Sequence, residues 1–263
     1  MKNVLSTWLL GALSPNPSGR VFCFAHAGGS ADSFMTWRER LPASIDLAAV
    51  QYPGRGRRID DEPIQEIGEI IDHVTRALMP LTDVPFALFG HSLGALLAFE
   101  TARRLVKIGR APRLLVASAC RSPSLLPSPK VVKAASLDGL HFINAIRAFG
   151  GIPAEIVNDH DVLDIVTPII RSDFRLVANY RYRPGRRLPM PILVANGSSD
   201  QHTAPANLEG WALESTEEVE FRTFEGGHFY LDDDDNRDLI IDAIASELDE
   251  LPSLRRMSMA GHS

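Results

Sequence analysis

PFALFGHSLGALLAFETARRLVKI, residues 85–108, decides how the rest of the chain is read. Residues 85–89 form a compact apolar run, Gly90-His91-Ser92-Leu93-Gly94 follows at once, and residues 95–105 are rich in strong helix formers. By chance alone a G-x-S-x-G pattern occurs in roughly one chain in ten of this length, so its setting is what counts. A strand, a glycine-flanked turn and a helix in immediate succession expose a serine on a sharp bend. The glycines have a physical task there, because the turn forces strained backbone angles and packs its neighbours where a Cβ would collide. A serine hydroxyl is a weak nucleophile until a base takes its proton, so Ser92 demands a histidine and an acid to orient it.

Both candidates lie downstream, each after a strand-like run. Val219 to Phe224 reads as a strand and leads into Gly226-Gly227-His228, and residues 191–195 lead into the turn Asn196-Gly197-Ser198-Ser199-Asp200. His228 is the candidate base. Asp200 is the candidate acid, whose carboxylate would hold the imidazole in the right tautomer and stabilise the imidazolium. Asp159, Asp161 and Asp173 follow no strand, and His91, beside the nucleophile, reads as a packing or hydrogen-bonding residue. Acyl transfer also builds negative charge on a carbonyl oxygen, which preorganised backbone N–H groups must meet. One such donor is the amide of Leu93; the other is assigned to Ala27 in His26-Ala27-Gly28-Gly29-Ser30, directly after the apolar run 21–25 (VFCFA).

Working outward, strand-like runs at 21–25, 47–51, 85–89, 114–117, 191–195 and 219–224 alternate with helical patterns at 64–81, 93–108 and 237–248. Most of the strands are continuous Val/Leu/Ile/Phe/Ala runs, as expected of strands covered on both faces. The alternation predicts an α/β fold with a mainly parallel central sheet flanked by helices. Between 122 and 189 the rhythm breaks: a Pro/Ser-rich loop opens into helical patterns at 136–149 and 154–182 with no strand between them. We read 1–121 and 190–251 as the core, 122–189 as an inserted helical lid over the sheet's carboxyl end, and 252–263 as a disordered tail.

Composition narrows the function classes. With 33 acidic against 27 basic residues the net charge is −6, which argues against a nucleic-acid backbone as partner. No apolar run reaches the roughly 18 residues of a membrane span. The opening residues VLSTWLLGAL resemble a short secretion signal, but Ser6 and Thr7 interrupt them and a first edge strand is the better reading. Cys23 and Cys120, both in or beside apolar runs, suit a reduced, cytoplasmic protein. The cations Arg55, Arg57, Arg58, Arg181, Arg183, Arg186 and Arg187 are candidate contacts for a phosphate or an acidic partner, with solvated surface the commoner outcome, and Asp232 to Asp235 reads as the cap of the last helix. No cofactor and no metal is expected.

Together, His26-Ala27-Gly28-Gly29-Ser30, Tyr52-Pro53-Gly54-Arg55-Gly56-Arg57-Arg58, Gly90-His91-Ser92-Leu93-Gly94-Ala95, Arg171-Ser172-Asp173-Phe174 with Tyr180-Arg181-Tyr182, and Gly226-Gly227-His228-Phe229-Tyr230-Leu231 resemble the type II thioesterases of the α/β-hydrolase superfamily. The likeness runs from about residue 8 to 248. It implies a monomeric enzyme that frees aberrant or stalled acyl groups from the phosphopantetheine arm of acyl or peptidyl carrier proteins in polyketide and nonribosomal peptide synthesis. By the same likeness Ser92, Asp200 and His228 match the catalytic triad, and Ala27 and Leu93 the oxyanion donors. Many members carry Met where this chain has Leu93, which touches pocket shape and leaves the amide intact. The residues themselves do not select a thioester: a general carboxylesterase or lipase, an acyltransferase or cyclising enzyme, or a catalytically silent carrier-binding module would fit the same fold.

Overall fold

The computed structural model describes residues 4–150 and 160–249. Eight strands form one sheet: β1 (Val4–Ser6), β2 (Leu9–Ala12), β3 (Gly19–Phe24), β4 (Ile45–Val50), β5 (Phe86–His91), β6 (Leu114–Ser118), β7 (Ile192–Gly197) and β8 (Val219–Phe224). Their order across the sheet is β1-β2-β4-β3-β5-β6-β7-β8. Every pairing from β4 to β8 is parallel, and only β1 with β2 and β2 with β4 run antiparallel.

Among the described residues six α-helices accompany the sheet: α1 (Ile67–Leu78), α2 (Leu93–Lys107), α3 (Pro129–Ala135), α4 (Gly139–Arg147), α5 (His160–Asn179) and α6 (Asp234–Asp249). In α1 the buried side chains Ile70, Ile71, Val74, Thr75 and Leu78 form one stripe, the spacing of a helix with a single face on a sheet. Nearly every side chain of α2 between Leu93 and Leu105 is buried, because this helix lies against β5, β6 and β3. Strands β3 to β7 are buried along their whole length, as both-sided cover requires. Each fully buried Phe or Leu of this layer, such as Phe22, Phe89 or Leu88, contributes about 1.5–3 kcal/mol by leaving water.

The N-terminal edge strand expected from sequence proves to be an antiparallel pair, β1 and β2, which carries Trp8, Leu9 and Leu10 into the main core. The pattern at 136–149 appears as α4, which covers 139–147, and a helix not expected from sequence, α3, precedes it at 129–135. Ser128 caps α3 by accepting from the Val131 amide at 3.2 Å with Pro129 at the first helical position, and Ser136 ends it by donating to the Lys133 carbonyl. Of the stretch 154–182, α5 covers 160–179; residues 154–159, Asp159 among them, and the tail 252–263 lie outside the described residues. The acidic run does cap the last helix: Asp233 accepts from the Asn236 amide at 3.0 Å, and Asp234 and Asp235 occupy the first turn. Among the described residues no helix is long and apolar enough to cross a membrane.

Strand order brings the loops together. Placing β3 beside β5 sets the loop 26–30 next to Ser92, and placing β7 beside β8 sets Asp200 next to the loop of His228, all at the carboxyl ends of parallel strands. The last two loops are tied by backbone bonds from Ser198 to Phe224 (2.8 Å) and from Ser199 to Gly226 (2.8 Å).

Candidate active site

The bend at Ser92 is built as the sequence demands. Ser92 has φ 56° and ψ −115°, a left-handed conformation uncommon for a residue with a side chain. Its amide donates to the Ser118 carbonyl at 2.8 Å, pinning the turn to the end of β6. A Cβ on Gly90 would lie 2.2 Å from the Gly94 carbonyl oxygen, and one on Gly94 would lie 2.0 Å from the Phe24 carbonyl oxygen. In the second case the obstacle is neighbouring backbone that cannot swing aside. Gly94→Ala is therefore expected to cost about 3 kcal/mol or more and to lower the melting midpoint by about 6–12 °C. Gly68→Ala, in α1 with nothing within 4 Å of the new Cβ, is the control and should leave the midpoint unchanged or slightly raised in the same calorimetric scan.

Asp200 and His228 meet directly. His228 Nδ1 donates to Asp200 Oδ2 at 2.7 Å, and the carboxylate also accepts from the Thr203 hydroxyl and from the His202 amide at 2.7 Å. The Asp200 side chain is fully shielded from solvent. Burial alone favours its neutral form, but the hydrogen bond and charge of His228, with Thr203 and the His202 amide, outweigh it and hold the carboxyl well below the usual carboxylate range. Since a carboxylate only accepts, the bond to Nδ1 leaves Nε2 of a neutral His228 as the free acceptor. Gly197 permits this approach of the two loops, because a Cβ there would lie 2.1 Å from the Gly227 carbonyl oxygen.

Ser92, His228, Ala27 and Leu93 line one cavity of about 80 Å³, and the Ser92 hydroxyl makes no hydrogen bond to a described residue. The amides of Ala27 and Leu93 likewise donate to no acceptor among the described residues. Two unpaired N–H groups beside a free serine hydroxyl have the composition of an oxyanion hole. The rest of the cavity wall is largely apolar: Leu96, Ala119, Cys120, Leu126, Val131, Phe149, Phe174 and Val177, from the sheet's end and from the helices above it. Burial pushes the Cys120 thiol up to about 12, so it acts as a small apolar wall residue.

His91 is a hydrogen-bonding residue, as expected: its Nδ1 lies 2.8 Å from the Ser118 hydroxyl, which lies 2.8 Å from the Tyr230 hydroxyl, all buried. Burial, with His228 and His26 nearby, holds its pKa well below the ordinary histidine value.

Two residues turn out otherwise than sequence suggested. Arg55, a candidate phosphate contact, is buried and forms a two-bond ion pair with Asp173 on α5, Nη1 to Oδ2 at 2.6 Å and Nη2 to Oδ1 at 2.8 Å. Its guanidinium is thus occupied. Asp173, set aside because it follows no strand, also accepts from the Gly28 amide at 2.7 Å, next to Ala27. Both residues stand inside quoted motifs, and that was the available signal; their pairing across 118 positions was not readable. Arg58 pairs with Asp61 and covers the Trp8 ring at 4.4 Å.

A family profile described as "Thioesterase domain" matches residues 19–248. The chain is 36% identical over 222 residues to Thioesterase PikA5 of Streptomyces venezuelae, covering 84% of this chain and 78% of that protein. It is 35% identical over 212 residues to a probable cadicidin biosynthesis thioesterase of Streptomyces griseus, covering 81% of this chain and 58% of that longer protein. Among solved structures it is similar to the type II thioesterase BorB from the borrelidin biosynthetic cluster, with a TM-score of 0.83, 33% identity, and 92% of this chain and 98% of that one covered.

Proposed function

Because the chain belongs to the thioesterase family, we propose that it is a type II editing thioesterase in which Ser92, His228 and Asp200 release acyl groups from the phosphopantetheine arm of acyl or peptidyl carrier proteins. The observation that carries the reading is the coincidence, around one cavity, of a strained serine with a free hydroxyl, an imidazole held by a buried carboxylate, and two unpaired amides.

In this mechanism Nε2 of His228 takes the Ser92 proton as Oγ attacks the thioester carbonyl. The oxyanion rests on the Ala27 and Leu93 amides, Asp200 stabilises the imidazolium, and the C–S bond breaks with the proton passing to the departing pantetheine thiol. Water, deprotonated by His228, then attacks the acyl-enzyme and regenerates Ser92 with release of the acid. The small, largely apolar chamber favours a short acyl chain. We take residues 122–189 as the lid of the chamber and 1–121 with 190–251 as the core. The enzyme acts in this reading as a monomer without a cofactor, and the two buried, unpaired cysteines support a reducing, cytoplasmic setting.

The test is acid release from one short acyl group carried on an acyl carrier protein, on a free pantetheine thioester, and on a matched oxygen ester. The expected order of kcat/KM is carrier-bound thioester, then free thioester, then ester. Equal or better turnover of the oxygen ester would remove the editing role and leave a general esterase.

A further inference from the structure

The loop that supplies Ala27 does not hold its shape alone. The peptide unit joining Ala27 to Gly28 is gripped at both ends: the Ala27 carbonyl accepts from His26 Nδ1 at 2.9 Å, and the Gly28 N–H donates to Asp173 Oδ2 at 2.7 Å. The turn is closed by the Gly29 amide on the His26 carbonyl at 2.9 Å. His26 and Gly29 belong to the loop, whereas Asp173 comes from α5, 145 positions away. Gly28 has φ +79°, and a Cβ on it would lie 2.7 Å from Cγ1 of Ile170, so α5 lies directly against this unit.

We propose that Asp173 is a positioning residue for the oxyanion hole: from α5 it fixes the peptide unit after Ala27 and thereby aims the Ala27 amide at the reacting carbonyl. This rests on the reading of Ser92 as nucleophile and Ala27 as oxyanion donor. Arg55 has the complementary task. A lone carboxylate beside the place where an oxyanion develops would repel it, and the two-bond guanidinium partner cancels that charge while leaving Oδ2 in contact with Gly28. Gln51 Nε2 in turn donates to the Arg55 carbonyl at 2.8 Å, tying the arginine's own loop to the end of β4.

The pair can be removed without orphaning a buried charge. Exchange of a buried ion pair for apolar residues of similar volume is often neutral for stability, whereas removal of one partner is costly. The principal variant is therefore Arg55→Met/Asp173→Leu, with Arg55→Met/Asp173→Asn as the comparison that keeps an acceptor oxygen for the Gly28 N–H and leaves no buried charge unpaired. Three readouts separate positioning from general damage: kcat and KM on a short acyl N-acetylcysteamine thioester, affinity for an alkyl boronic acid that becomes a tetrahedral oxyanion on Ser92, and affinity for the thioether that lacks the carbonyl.

Losing one oxyanion donor outright costs about 10²–10³ in kcat, so a misaimed one should cost about 10- to 100-fold. The Arg55→Met/Asp173→Leu variant is expected to lose that factor in kcat and in boronate affinity alike, with KM and thioether affinity changed less than about threefold and Arg55→Met/Asp173→Asn recovering most of the loss. Boronate affinity within threefold of wild type, or a fall shared equally by the thioether, would overturn the proposal. If the Arg55→Met/Asp173→Leu variant does not fold, hydrogen exchange on the wild-type protein decides: the Gly28 amide should exchange at least about 100-fold more slowly than a free loop amide, and exchange at the free rate overturns it. Failure of the underlying reading shows separately, as turnover that persists in Ser92→Ala.

Discussion

Ser92→Ala is expected to lower turnover by about 10⁶-fold, the scale on which loss of the nucleophile costs a serine–histidine–acid enzyme, while the melting midpoint stays within a few degrees of wild type. The second half of that expectation comes from the structure. The serine hydroxyl has no hydrogen bond among the described residues, so its removal orphans no buried partner. The strained φ of 56° burdens alanine as it burdens serine, and the amide that pins the turn to Ser118 is retained. Thioesterase assay and calorimetry on the same preparation check both halves. Normal turnover in this variant would dismiss the covalent mechanism.

Asp200→Asn should be nearly as severe, at about 10⁴-fold in kcat. The wild-type carboxylate accepts three hydrogen bonds, from His228, Thr203 and the His202 amide. An asparagine has one carboxamide oxygen to share among them, and wherever its NH₂ faces Nδ1 the imidazole must turn Nδ1 into an acceptor and carry its proton on Nε2. That is the wrong nitrogen for a base directed at Ser92. A stability signature accompanies the kinetic one. The folded-state pKa of Asp200 is depressed, so its ionised form stabilises the protein above the unfolded carboxyl value of about 3.9, and this contribution is lost as pH falls through the lower folded value. The gap in melting midpoint between wild type and Asp200→Asn should accordingly be widest near neutrality and narrow below about pH 4. A constant gap from pH 7 to pH 3 would contradict the assigned charge state.

How much of this was legible in the chain depended on how local the signal was. Strands β3 to β7 were readable because burial on both faces writes them as unbroken apolar runs, and Ser92, Asp200 and His228 were readable because each follows such a run within a few residues. Helix α3 was hidden: Ser128-Pro129 reads as loop punctuation until the serine is seen to cap the helix that the proline opens. The short strand pair β1 and β2 carried too few residues for periodicity to show. The bonds among Asp173, Arg55 and Gly28, and the chain from His91 through Ser118 to Tyr230, join positions far apart in sequence, so no local pattern encodes them.

Helix α5 belongs to two cores at once. Its C-terminal end is moored to the main body, with Leu176 and, just past the last turn, Tyr180 in the central cluster and the Tyr180 hydroxyl donating to Glu100 on α2 at 2.7 Å. Toward the N-terminus Leu163, Ile170 and Phe174 join Phe142, Ile146 and Ala134 in a separate apolar knot under the chamber roof. Pro168 lies between Leu163 and Asp173 and has no N–H to offer the Asp164 carbonyl, so the ladder lacks one rung there. The helix is a cantilever with a notch cut outboard of its mooring. Phe174 and Val177, which wall the chamber, stand with Asp173 on the moored side of that notch, so the stretch of helix that steadies the oxyanion loop is also the one that meets the acyl chain.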